Sequence, residues 1–138
     1  MTHYEYSFPV RYYETDQMGV VHHSNYVRYF ETARDQMMVD WGFPITRCEQ
    51  EFGVLIPVVG VEIRFKRPAR MGDTVTSIAE IERVPMAKLF VKQKVLNQNG
   101  ELCAEGMVTL GFLNAKTFTP VPCPDVLVKI IEEHINER

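Results

Sequence analysis

A short polar stretch carries the residues with the clearest chemical potential. Asp16 is followed by a turn at Gly19 and by two histidines, His22 and His23, directly before a predicted helix. The free N–H groups of a helix start can stabilise negative charge that develops on a substrate oxygen. A carboxylate beside such a helix start therefore suits hydrolysis of an acyl group, with Asp16 as nucleophile or general base.

The same residues have plainer interpretations. Asp16 can cap its own turn, as Asp commonly does beside glycine. The histidine pair does not predict a metal site, because adjacent histidines point in different directions and no third ligand follows at a suitable spacing. Ser24 lacks the surrounding pattern of a serine nucleophile. The simplest interpretation of the pair is that one histidine packs at the helix entry and hydrogen-bonds locally.

The helix that must position these groups is predicted over residues 25–41. One face is apolar, with Tyr26, Phe30, Ala33, Met37 and Trp41. The other face is polar, with Arg28, Glu31, Asp35 and Asp40. We expect Ser24 or Asn25 to cap the first turn, and Gly42 with Pro44 to end the helix. We also expect Glu31 to pair with Arg34 on the surface.

Alternating residues predict five strands, over about 5–12, 55–66, 74–84, 89–95 and 102–113. Pro9 places the first strand at an edge or a bulge, and the Asn99-Gly100 pair predicts a hairpin. We expect the last four strands to form an antiparallel meander. A short helical segment is predicted near 46–52, and an amphipathic helix near 124–136. This pattern indicates an α+β protein with one domain over residues 1–138.

Composition excludes several classes of function. The net charge is −3, and no basic arm is present, so we expect no nucleic-acid partner. The longest apolar run, 54–61, is far shorter than the roughly 20 residues of a membrane span. We expect no signal peptide. Cys48, Cys103 and Cys123 form neither a zinc pattern nor a disulfide framework, which favours a cytoplasmic location.

Two motifs together resemble a known family. The first is Tyr13-x-Thr-Asp16-x-x-Gly-Val-Val-x-His23-x-Asn25-Tyr26, followed by Phe-Glu-x-x-Arg on the helix. The second is the segment 64–73, Arg-Phe-Lys-Arg-Pro-Ala-Arg-Met-Gly-Asp. Both are similar to the 4-hydroxybenzoyl-CoA thioesterase type of the hotdog-fold thioesterase superfamily, over nearly the whole chain.

The resemblance implies a hotdog fold, in which an antiparallel sheet of about five strands wraps around one long central helix. It implies hydrolysis of an acyl-CoA thioester without metal or cofactor, by subunits paired as dimers or tetramers. Asp16 matches the catalytic carboxylate, and the backbone N–H of His23 matches the oxyanion donor. The substrate-binding positions are Asn25 and Tyr26 beside the pocket, and Lys66, Arg67 and Arg70 toward the CoA phosphates.

Several alternatives stay open at this level. His22 stands where the family often has Tyr or Trp, and Gln17-Met18 replaces smaller residues, so the acyl group is not specified. The basic residues of the second motif also fit a solvated face. An acyl carrier protein can replace CoA as the thiol. The rival functions are a non-catalytic acyl-CoA binding subunit and a hotdog dehydratase.

Overall fold

The computed structural model describes residues 1–137, and Arg138 lies outside the described residues. The described residues form the strands β1 (Tyr4–Pro9), β2 (Val54–Leu55), β3 (Val58–Phe65), β4 (Thr74–Glu80), β5 (Lys88–Leu96), β6 (Leu102–Gly111) and β7 (Leu113–Asn114). They also form the helices α1 (Ser24–Asp40), α2 (Ile45–Phe52) and α3 (Asp125–Asn136). A 3-10 turn spans Tyr12–Glu14. The α+β class is therefore confirmed, with two further helices beside the long one.

The main sheet is antiparallel and has the strand order β1-β4-β5-β6-β3. Pro9 lies in an edge strand, as predicted, because its missing N–H cannot donate to a central ladder. The predicted meander is only partly right. Strands β4, β5 and β6 do form consecutive hairpins, but β3 pairs with β6, with Val61 opposite Val108. Alternation identifies a strand but carries no information about its partner, so the sequence could not reveal that β3 crosses to the far edge.

Several element boundaries differ from the prediction. The first strand ends at Pro9, and the segment predicted over 55–66 is divided into β2 and β3. The predicted cap of α1 by Ser24 or Asn25 is wrong: His23 occupies the N-cap position without a side-chain cap bond, and Nδ1 of His22 accepts from the Ser24 N–H at 3.3 Å. Gly42 follows α1 with a φ of +77°, a conformation that glycine adopts without strain, so the predicted stop is confirmed.

Helix α1 packs on the sheet through the predicted apolar face, with Tyr26, Phe30, Ala33 and Met37 all buried. Two side-chain hydrogen bonds also hold α1 to the sheet. The hydroxyl of Ser77 donates to the Tyr29 carbonyl at 2.7 Å, and the amide of Gln93 donates to the Phe30 carbonyl at 2.8 Å. All four groups are buried, so these bonds restrain the position of α1 on β4 and β5.

The predicted surface pair of Glu31 with Arg34 is wrong. Arg34 is only 6% exposed, and its guanidinium donates to the Gln93 side chain at 2.8 Å. Burial lowers the pKa of Arg34, which the nearby charges of Glu31 and Asp35 partly offset. Helical periodicity does not reveal the burial of Arg34, because Arg34 follows Ala33 on the inward edge of the apolar face, where its long side chain reaches β5.

One apolar row of β3 is left uncovered. Val61 and Phe65 are 39% and 52% exposed, although they lie on the same side of the sheet as the buried Val108 and Ala104 with which they pair. The row lies on an edge strand, whose outer N–H and C=O groups face no other strand of residues 1–137. Among residues 1–137, none of the helices combines the length and apolar character needed to cross a bilayer.

Candidate active site

The Asp16 loop is a tight hairpin. The N–H of Asp16 donates to the Val20 carbonyl at 2.9 Å, and the N–H of Gly19 donates to the Asp16 carbonyl at 3.0 Å. Gly19 has a φ of +76°, which favours glycine at this point of the turn. The Met18 N–H donates to Oδ1 of Asp16 at 2.8 Å. Asp16 therefore caps its own turn, as the sequence allowed, and this hydrogen bond also fixes the direction of the half-buried carboxylate.

The start of α1 is bound to the chain just before this hairpin. The N–H of His22 donates to the Glu14 carbonyl at 2.8 Å, and the side-chain amide of Asn25 donates to the same oxygen at 2.9 Å. Asn25 is buried, so its amide needs such a partner. Across residues 1–137, no acceptor is bonded to the backbone N–H of His23. That N–H is therefore available to a ligand at the helix start.

The second motif lies against the first. The N–H of Val21 donates to the Ala69 carbonyl at 2.8 Å, and the N–H of Met71 donates to the Gly19 carbonyl at 3.1 Å. The hydroxyl of Tyr26, on the buried face of α1, accepts from the Ala69 N–H at 3.0 Å. The structure thus brings together two motifs that are about 50 residues apart, and it holds them by backbone bonds.

A surface depression of about 230 Å³ lies at the helix start. Its lining residues are Val21, His23, Tyr26, Phe65, Lys66, Arg67 and Pro68. Four of the sequence-predicted site residues therefore share one depression, namely His23, Tyr26, Lys66 and Arg67. Asp16, Asn25 and Arg70 are not part of its lining. Asn25 is instead engaged by the Glu14 carbonyl, as described above.

The two histidines interact with their immediate neighbours. Their rings lie 4.1 Å apart between centroids, and Nδ1 of His22 lies 2.9 Å from the Ser24 hydroxyl oxygen. The ring of His23 also meets the edge of Phe65, at 6.3 Å between centroids. The expected local packing at the helix entry is confirmed. Within the described chain, no group of three or more His, Cys, Asp or Glu side chains is arranged to hold a metal ion.

The basic residues of the second motif are exposed. Lys66 lies 3.8 Å from the Glu105 carboxylate, and Arg67 lies 3.4 Å from the Glu101 carboxylate. Such exposed ion pairs contribute little to stability, so both side chains can exchange these partners for an anionic ligand at small cost. The backbone N–H of Arg70 donates to the Asp73 carboxylate at 2.8 Å, and the Arg70 side chain is exposed.

Comparison with known proteins shows the family of the chain. The family model described as the thioesterase-like superfamily matches residues 10–131, which include both motifs. The chain belongs to the thioesterase-like superfamily. The YneP protein of Bacillus subtilis is 35% identical over 112 residues, covering 81% of this chain and 80% of that protein. YbgC of Escherichia coli, an acyl-CoA thioester hydrolase, is 30% identical over 125 residues, covering 89% and 92%.

The fold of this thioesterase-like chain is also found among solved structures. The DHNA-CoA thioesterase from Staphylococcus aureus superposes with a TM-score of 0.88 at 26% identity, covering 96% of this chain and 91% of that chain. The hotdog fold implied by the two motifs is therefore shown for the chain, together with its five-stranded antiparallel sheet.

Glu14 is a further residue at this helix start, and the two motifs do not single it out. Oε1 of Glu14 accepts from the Arg11 N–H at 2.6 Å and from the Tyr29 hydroxyl at 2.9 Å. Burial raises the pKa of Tyr29 well above its usual range, and the bond to Glu14 raises it further. The only signal in the sequence was that Tyr29 follows Asn25 by one helical turn. Both side chains therefore point to the same side of α1, toward Glu14.

Proposed function

We propose that this chain hydrolyses an acyl-CoA thioester to a free acid and CoA, with Asp16 as the reacting carboxylate and the His23 N–H as the oxyanion donor. The observation that carries the proposal is the free backbone N–H at the start of α1, held beside the Asp16 hairpin by the Glu14 carbonyl. Family membership makes the chain an acyl-CoA thioesterase. The two motifs further favour the 4-hydroxybenzoyl-CoA type.

In this mechanism the thioester carbonyl lies at the start of α1. Its oxygen accepts from the His23 N–H, and the helix dipole favours the negative charge that develops there. Along one route, Asp16 takes a proton from water, and the resulting hydroxide attacks the carbonyl carbon. The carbon–sulfur bond then breaks, and the CoA thiolate takes up the proton. Along the other route, Oδ2 of Asp16 attacks the carbonyl carbon directly, the carbon–sulfur bond breaks, and the CoA thiolate leaves. Water then hydrolyses the resulting anhydride to the free acid and the restored Asp16 carboxylate, and the thiolate takes up the proton that this water releases.

The side chains around the depression have complementary roles in this proposal. Lys66 and Arg67 line it, and Arg70 lies on the next turn of the chain, so the three supply positive charge for the CoA phosphates. Tyr26 forms part of the wall, and its hydroxyl holds the Ala69 backbone in place. The exposed ring of Phe65 faces His23 and offers an apolar surface to the acyl or pantetheine portion.

We also infer that two copies pair through β3. The exposed side chain of Val61 and the free edge of β3 would both be covered in such a dimer, or in a tetramer built from dimers. We further propose that residues 1–138 are one hotdog domain, with its sheet curved around α1 as the central helix. The cytoplasmic location stays a prediction from the cysteine content.

The test is release of free thiol from a panel of acetyl, hexanoyl, palmitoyl and benzoyl-type CoA esters. Asp16→Asn is the decisive variant, because an asparagine oxygen still accepts from the Met18 N–H and keeps the turn. We expect kcat to fall by about 10²–10⁴-fold, as for the loss of a general base. Asp125→Asn, an exposed change at the start of α3, is the control and should leave turnover unchanged.

Three other results would contradict the proposal in different ways. Near wild-type turnover in folded Asp16→Asn would mean that another group reacts. Saturable binding of CoA esters without thiol release would indicate a binding subunit. Hydration of an enoyl-CoA without thiol release would indicate a dehydratase.

A further inference from the structure

We propose that Glu14 is a positioning residue, which places both Asp16 and the His23 N–H by accepting four hydrogen bonds. This inference rests on the proposed function and goes beyond it, because Glu14 is not part of the lining of the depression at the helix start. Its side chain accepts from the Arg11 N–H and the Tyr29 hydroxyl. Its backbone carbonyl accepts from the His22 N–H and the Asn25 amide. These four bonds are 2.6 to 2.9 Å long.

Two of the four bonds, from Asn25 and Tyr29, hold the loop against the helix. Asn25 and Tyr29 are four residues apart on α1, so they lie on one side of it and about 6 Å apart along its axis. Both are buried, with 5% and 1% exposure. Two attachments on one helical face restrain the loop against sliding along α1 and against turning around it. A single attachment would leave one of these movements free.

Both proposed reacting groups are linked to Glu14, one through two residues of chain and the other through one hydrogen bond. Asp16 follows Glu14 by two residues, and its own N–H closes the hairpin onto Val20. The His23 N–H directly follows His22, whose N–H is bonded to the Glu14 carbonyl. Glu14 therefore contributes to the relative position of the carboxylate and the oxyanion donor. Misplacement of reacting groups by about 1 Å can cost on the order of 10²-fold in rate.

The positioning role of the Glu14 side chain requires a hydrogen-bond acceptor, and it does not require a negative charge. The Arg11 N–H and the Tyr29 hydroxyl both donate to Oε1, and a glutamine side chain presents an equivalent carbonyl oxygen. A carboxylate that reacts with the substrate or takes its proton would instead be inactivated by the same change. Glu14→Gln therefore separates a positioning role from a chemical role, because the two predict opposite results.

The experiment compares kcat and KM for Glu14→Gln, Glu14→Ala and Tyr29→Phe with the wild type, using the best ester of the panel. We expect Glu14→Gln to keep kcat within about threefold, because its bonds are retained. We expect Glu14→Ala to lose about 10²-fold in kcat with KM nearly unchanged. Tyr29→Phe removes one bond but keeps the buried ring, and it should lose less. Glu49→Ala, on the exposed side of α2, is the control.

A second readout does not depend on turnover. Hydrogen exchange of the backbone amides in residues 15–23 should speed up in Glu14→Ala and Tyr29→Phe, and stay at the wild-type rate in Glu14→Gln and Glu49→Ala. Loss of activity in Glu14→Gln as large as in Asp16→Asn would overturn the proposal. Unchanged exchange in both Glu14→Ala and Tyr29→Phe would overturn it as well.

The two readouts also separate this proposal from the proposed function. A wild type that releases no thiol from any ester would refute the proposed function alone. The exchange rates would then still decide whether Glu14 holds the loop. If Glu14→Ala fails to fold, the paired exchange and kinetics of Tyr29→Phe and Glu14→Gln decide the question.

Discussion

Gly106 in β6 provides a direct test of how β3 is held in the sheet. A Cβ atom at this position would overlap the Glu62 carbonyl oxygen of β3, with the Glu62 carbonyl carbon at 3.0 Å and the Ile63 Cα at 3.1 Å. All three are backbone atoms, which cannot rotate away as a side chain can. Gly106→Ala must therefore push β3 away from β6 near the point where Ile63 pairs with Gly106.

The expected cost follows from the two consequences of that movement. Separating the strands weakens one or two ladder hydrogen bonds, each worth about 1 kcal/mol. Overpacking against a rigid backbone adds about 1–3 kcal/mol. We therefore expect the free energy of unfolding to fall by about 3 kcal/mol. At about 3–4 °C per kcal/mol for a chain of this size, the melting temperature should fall by about 10 °C.

Gly60→Ala is the matched control, because Gly60 lies in β3 on the same ladder with β6. Its added Cβ would meet only the Thr109 side chain, at 3.7 Å, which is an ordinary contact. Both substitutions reduce the freedom of the unfolded chain equally, so their difference isolates the contact with Glu62. The measurement is urea unfolding followed by circular dichroism. A difference of less than about 0.5 kcal/mol between the two variants would refute the reasoning.

Two further predictions concern titrating groups. The hydrogen bond to Glu80 raises the pKa of His3. The stability that this interaction contributes is therefore fully present below the ordinary histidine pKa, and it is lost as pH rises through the raised pKa of His3 in the folded protein. His3→Gln should therefore destabilise more near about pH 5.5 than near about pH 8.5 in urea unfolding, by at most about 0.5 kcal/mol for this half-exposed pair. Equal effects at both pH values would contradict this. Burial raises the pKa of all three thiols, to about 11 for Cys48 and about 12 for Cys123, with Cys103 also raised. We expect the native protein to react with a disulfide reagent only after denaturant is added, and rapid reaction of the folded chain would show exposed thiolate.

Much of the local structure could be predicted from the sequence. The positions of α1 and α3 followed from helical periodicity, the short segment predicted near 46–52 is α2, and Gly42 and Gly100 marked the ends of elements. The turn that carries Asp16 followed from its own polar and glycine residues. These features depend on contacts within a few residues, so the composition of each segment already contains the determining interactions.

The superfamily could also be predicted from the sequence, because the first motif is continuous along the chain. Asp16, His23 and the helix start occur in fixed order, and the match to the family model over residues 10–131 agrees with it. The roles of these residues in the reaction stay predictions. A motif specifies which residues are present, while the reaction depends on distances between their atoms.

Only the tertiary structure decided how the segments meet. It placed β3 beside β6, brought Ala69 against Val21, buried Arg34 against Gln93, and made Glu14 the common partner of Asn25 and Tyr29. Each of these is a specific contact between chain segments that helical or strand periodicity does not distinguish from other pairings. Such pairings depend on how whole faces pack and on which buried polar groups find partners, so they are settled only when the chain folds as a unit.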